Sequence, residues 1–184
     1  MRTRFSGVGQ TWVSGRPARH NQQGDNTMSI SSEVLSRGEN ALYQLDKSKG
    51  MAFDSHSARL FHIDDDGLFT LIDHDRDVYD LLDNDDVAND LSKTDNISIG
   101  VLTYGWASPL TDDNRDDHTP PSQRDDRKRV RVLVTACDHG KFVTFLRFEA
   151  DPDTVDTQGG GEGSMADAIQ QLINKIQTKK AGNK

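Results

Sequence analysis

Cysteine is nearly missing from this chain of 184 residues: Cys137 stands alone. That excludes an intramolecular disulfide framework and a cysteine-based zinc cluster. Long apolar runs are missing too. No stretch approaches the roughly 18 residues that a membrane-spanning helix requires, and mean hydropathy is −0.74. Behind Arg2 and Arg4 no apolar segment follows, so the N-terminus does not read as a secretory signal. These absences together predict a cytoplasmic protein with no membrane attachment. Glutamate is scarce, at Glu33, Glu39, Glu149 and Glu162, so almost all of the acid is aspartate. Aspartate is a poor helix-interior residue and a good cap and turn former.

Only 33% of the residues are hydrophobic, and the net charge is −8. A negative field repels phosphate backbones, which argues against general nucleic-acid binding. The length suits one domain. Residues 1–27 are rich in Arg, Gly, Gln, Asn and Ser without periodicity, as in a disordered arm that precedes an alternative start at Met28. The domain is expected over 28–178, with a short tail over 179–184.

Val34, Leu35, Gly38, Ala41, Leu42 and Leu45 recur at helical spacing after a Ser31 or Ser32 cap, and Lys47, Lys49 and Gly50 end that helix. Residues 58–63 and 68–72 flank Asp64-Asp65-Asp66-Gly67 as a hairpin. A second helix, capped by Asp75 or Asp77, carries Val78, Leu81, Leu82, Ala88 and Leu91. Residues 97–104, 129–137 and 141–149 read as strands, the last two as a hairpin. Residues 151–163 look like a linker. Met165, Ala168, Ile169, Leu172, Ile173 and Ile176 mark a final amphipathic helix. The expected fold is α+β, a mostly antiparallel five-stranded sheet with three helices in the order α-β-β-α-β-β-β-α. One parallel pair is allowed across the second helix.

Catalytic and metal signatures fall short. Asp73-His74-Asp75-Arg76-Asp77 opens like a calcium loop but has Val78 where glycine is needed and Asn84 where a bidentate carboxylate is needed. The six histidines show no metal-ligand spacing. Cys137 and His139 do not form a dyad, and the glycine run at 159–163 lacks a phosphate-loop lysine. No cofactor or metal is called for.

The informative segment is 104–131. Trp106, Ser108, His118, Ser122, Arg124, Arg127 and Arg129 stand there as candidate binding residues, with five basic residues between Arg124 and Arg131 opposing the acidic balance. Such a patch suits an anion or carboxylate. The competing reading pairs these cations with the chain's own aspartates and uses them to guard a strand edge. Gly-Trp-Ala-Ser-Pro-Leu, the acidic loop, Pro-Pro-Ser and Arg-x-Arg-Val-Arg-Val-Leu-Val resemble a segment of uncharacterised actinobacterial proteins, over about residues 97–172. The resemblance implies no activity. Where those proteins often continue Pro-Ser into a His-Pro-containing basic run, this chain has Gln123-Arg124-Asp125-Asp126, which weakens the case for a histidine-based site in that loop. The expectation is a non-catalytic binding or regulatory protein working through 104–131. Its partner would be a protein or an anionic small molecule, with a homodimer also allowed. A small-molecule enzyme at the same loop is the alternative.

Overall fold

The computed structural model describes residues 2–7, 10–13, 30–53, 58–73, 76–110, 119–137, 140–160 and 163–182. Up to residue 29, and at Asp73 and Leu110, only the backbone is described. Of the expected features, the Met28 start, Asp75, His118, the Asp138-His139 turn and Gly161-Glu162 lie outside these residues.

Among the described residues, eight strands form one antiparallel sheet: β1 (Arg2–Gly7), β2 (Gln10–Val13), β3 (Arg59–Ile63), β4 (Phe69–Asp73), β5 (Ser98–Leu110), β6 (Lys128–Cys137), β7 (Phe142–Phe148) and β8 (Asp151–Gly159). Six run in the order β2-β1-β5-β6-β7-β8, and the β3–β4 hairpin joins through β5. One edge of β5 pairs with β6. The other is divided, Ile99–Leu102 going to β3 and Gly105–Leu110 to β1. The allowed parallel pair is not formed, because β3 rather than β4 lies beside β5 and runs antiparallel to it.

Four α-helices among the described residues cover the sheet: α1 (Ser32–Ser48), α2 (Val78–Leu82), α3 (Asp85–Leu91) and α4 (Ser164–Gly182). The expected second helix is split in two. Asn84 stops it by accepting hydrogen bonds from the N–H groups of Asp86 and Val87 at 2.8 and 3.3 Å, starting a new helix as an N-cap. Asp77 caps α2 in the same way, and Ser31 caps α1.

Both faces of the sheet are buried. Val130, Val132, Val134 and Ala136 of β6 face α2, α3 and α4, where they meet Leu81, Leu91, Ile169, Leu172, Ile173 and Ile176. Leu133, Leu102, Phe61, Ile63 and Phe145 turn the other way, toward Leu35 and Leu42 of α1. Two glycines let α1 settle on the β3–β4 hairpin. A Cβ on Gly38 would come within 2.2 Å of the Phe69 ring, and one on Gly67, at φ +79°, within 2.2 Å of Val34.

The differences from expectation fall where backbone pairing outweighs side-chain pattern. β1 and β2 lie in the presumed arm, β8 lies in the presumed linker, and β5 runs on to Leu110 through the presumed start of a loop. β8 is a mostly exposed edge strand, so its residues need no apolar alternation. α4 continues past Lys179 and Lys180 into the expected tail.

Candidate functional site

Strand register places a row of charged and aromatic side chains on the α1 face. Arg131 stands opposite Tyr104 on β5 and Arg147 on β7, Arg129 stands opposite Trp106, and Arg59 opposite Leu102. Alternation along β6 puts Arg129 and Arg131 on the same face.

Over the inner part of this row, α1 lowers Glu39, Tyr43 and Asp46, residues spaced i, i+4, i+7 and therefore on one helix face. Glu39 accepts from Nη1 of Arg131 at 2.5 Å and from Nη2 of Arg147 at 2.6 Å. Asp46 accepts from both Nη groups of Arg59 at 2.9 and 2.5 Å, and from Nη2 of Arg131 at 3.0 Å. The Tyr104 hydroxyl accepts from Arg59 at 2.8 Å and donates to Asp46 at 3.3 Å. Arg147 lies 4.0 Å from the Tyr43 ring centre and also donates to the Pro152 carbonyl. Glu39, Asp46, Arg131 and Arg147 are all at most 2% exposed. Three guanidiniums against two carboxylates leave one positive charge in excess here.

Burial alone would raise the Asp46 carboxyl, but the hydrogen bonds and charges of Arg59 and Arg131 outweigh it and hold the group below its ordinary range. Burial pushes the Tyr104 phenol up, against the pull of the two arginines. Arg59 is raised although burial opposes it, because Asp46 and Tyr104 favour its charged form. The arrangement suits rigid ion pairing. Every carboxylate oxygen in it already faces a cation.

This network was not legible as a site. The α1 face expected to be apolar included Ala41 and Leu45, which are exposed, whereas Glu39, Tyr43 and Asp46 are buried. A usable signal existed: Arg131 and Arg147 sit amid apolar strand residues, and two inward arginines require acids at one helix spacing.

Beyond the C-terminal end of α1 the row opens to solvent. Arg127 and Arg129 lie over the Trp106 ring, 5.0 and 5.4 Å from its centre. Arg127 donates to the Ser122 carbonyl at 2.8 Å, and Arg129 to the Phe53 carbonyl at 3.2 Å. Neither meets a carboxylate among the described residues. Arg124 differs: its Nε donates to Asp126 at 3.0 Å, and Ser108, 2% exposed, donates to the same carboxylate at 2.8 Å. The Asp126 carboxyl is lowered by Arg124 and then by Ser108.

The expected patch therefore divides. Trp106, Arg127 and Arg129 come together, with Ser122 supplying a carbonyl. Ser108 and Arg124 are engaged by Asp126, as the competing reading anticipated. The edge-guarding role is overturned for β6, which lies between β5 and β7. On the opposite face, Asp85, Gln171, Asn174, Lys175, Thr178 and Lys179 line a shallow groove of about 480 Å³, remote from these residues. Among the described residues, no three His, Cys, Asp or Glu side chains gather as a metal-holding group, and no helix is long and apolar enough to cross a membrane. Compared with family models, with curated proteins and with solved structures, the chain matches none.

Proposed function

We propose that this chain is a non-catalytic binding protein that recognises carboxylates of a protein partner through Trp106, Arg127 and Arg129. The observation that carries this reading is the pairing of two guanidiniums with one indole, each guanidinium bonded to a main-chain carbonyl and, among the described residues, to no carboxylate. A guanidinium has five N–H donors. Held over the ring and by one carbonyl, each guanidinium keeps further donors with which to take a carboxylate. The indole adds apolar area of the kind found at interface anchors. The buried arginine network behind it supports the reading by fixing the strands that present the platform.

The test is a titration of the full chain with a labelled glutamate-rich peptide, with citrate and inorganic phosphate as competitors. Arg127→Ala and Trp106→Phe are expected to weaken peptide binding about tenfold, or ~1.4 kcal/mol. Arg124→Ala, which disturbs a guanidinium held by Asp126, is expected to leave it unchanged. Unaltered binding by Arg127→Ala would defeat the proposal. Citrate or phosphate binding more tightly than the peptide would favour an anionic small molecule at the same place.

A further inference from the structure

The two arginines over Trp106 are anchored in different ways. Arg127, which is exposed, donates to the Ser122 carbonyl, five residues back in its own loop. Arg129, which is half-buried, donates from Nε to the Phe53 carbonyl, 76 residues away in sequence. Where Arg129 stands therefore depends on where the chain leaving α1 places one main-chain carbonyl.

That exit is closely specified. After Ser48 the chain turns through Gly50, at φ +71°. The Gly50 N–H donates to the Lys47 carbonyl at 3.1 Å and the Met51 N–H to the Asp46 carbonyl at 2.9 Å. This pair of bonds closes a Schellman turn, whose left-handed position favours glycine. Residues 51–53 then return to the helix: the Phe53 ring stands edge-on to Tyr43, with centres 6.1 Å apart and planes at 64°. Such a pair is attractive beyond the area it buries.

Tyr43 is a firm seat for that ring. It is 2% exposed, with the guanidiniums of Arg147 and Arg131 at 4.0 and 6.0 Å from its centre. Glu39 holds both arginines, and Asp46 holds Arg131 as well. Asp46 thus serves twice. Its carboxylate binds Arg59 and Arg131, and its carbonyl closes the turn that leads to Phe53. Contacts run without a break from the buried network through Tyr43 and Phe53 to Arg129 and the indole.

We propose that Phe53 is a positioning residue of the Trp106 platform: its ring, seated on Tyr43, fixes its carbonyl, and the carbonyl aims Arg129 at a carboxylate of the partner. The role presupposes that Trp106, Arg127 and Arg129 take a carboxylate. Without the ring the carbonyl is no longer fixed, and ordering Arg129 on binding then costs affinity. Arg127 is spared, because its anchor lies in its own loop.

The test is a double-mutant cycle on the full chain with the labelled glutamate-rich peptide, combining Phe53→Ala with Arg129→Ala and with Arg127→Ala. Phe53→Ala is expected to weaken binding about fivefold alone and in the Arg127→Ala background, but less than about twofold in the Arg129→Ala background. Phe53→Tyr, which keeps the ring, is expected to bind like the parent. Without peptide, the Arg129 Nε–H resonance is expected to be protected from exchange in the parent and in Phe53→Tyr, and to lose protection in Phe53→Ala. Gly50→Ala is the second variant. Its methyl group meets nothing within 4 Å, so it strains only the turn, and the same coupling to Arg129 is expected.

The role is overturned if both variants weaken binding equally in the two arginine backgrounds, which is the mark of a general loss of stability. It is also overturned if both bind like the parent while Arg129→Ala does not, and the platform then stands without it. A parent chain that leaves the peptide unbound removes the platform and the role of Phe53 together.

Discussion

Replacing Asp46 with asparagine keeps the volume of the side chain and removes one charge. Asp46 is 1% exposed and holds two guanidiniums, Arg59 through both carboxylate oxygens and Arg131 through one. Removing one partner of a buried pair costs about 3–5 kcal/mol, because the remaining charge stays buried and uncompensated. Asparagine retains one acceptor, so the lower end applies, about 3 kcal/mol. Against a typical stability of ~5–15 kcal/mol that is a large fraction. It corresponds to a melting-temperature drop of roughly 6–12 °C for a domain of this size.

The pH dependence gives the sharper test. The carboxyl is lowered in the folded state, so its stabilisation is fully present above the unfolded value of about 3.9 and is lost as pH falls through the folded value. A protonated Asp46 is nearly equivalent to asparagine. Urea denaturation of both proteins from neutral pH downward is therefore expected to show a gap that is widest at neutrality and closes in acid. The exposed Asp90–Lys93 pair, at 2.8 Å with side chains 75% and 65% exposed, is the reference. Asp90→Asn is expected to stay within about 0.5 kcal/mol. A gap under about 1 kcal/mol at neutral pH, or one that persists unchanged into acid, would refute the argument.

Gly67→Ala is expected to cost about 2–4 kcal/mol by urea denaturation, since alanine resists the left-handed φ and its methyl group meets Val34; a neutral result would mean the hairpin moves freely from α1. Ile173→Ala, at a fully buried position of α4, is expected to cost ~2–5 kcal/mol, and a cost below 1 would show that the α4 layer collapses around the gap. Tyr104→Phe removes the hydroxyl bridging Arg59 and Asp46. A loss of about 1–2 kcal/mol is expected from thermal or chemical melting, and no loss would place that bridge outside the stabilising network.

The local elements were legible wherever apolar periodicity and capping agreed. The Ser31 cap, the β3–β4 hairpin, the β6–β7 hairpin and the Met165–Ile176 stripe of α4 all follow from residue type and spacing. Trp106, Arg127 and Arg129 stood among the seven candidates of the 104–131 segment, but their meeting over one ring depends on the β5–β6 ladder, which the sequence does not announce. What escaped the sequence is what depends on distant partners. β1 and β8 are strands because β5 and β7 offer them backbone groups, which no side-chain pattern announces.

The buried face of α1 shows the same division. The helical period of 3.6 residues determined that Glu39, Tyr43 and Asp46 share a stripe, and residue type determined that they would be costly to bury alone. Burying them became possible only when the sheet placed Arg131, Arg147 and Arg59, from three separate strands, within hydrogen-bonding distance. Spacing along the chain is a local property, whereas charge compensation in a dry core depends on distances across 13 to 108 residues of sequence, which folding alone supplies.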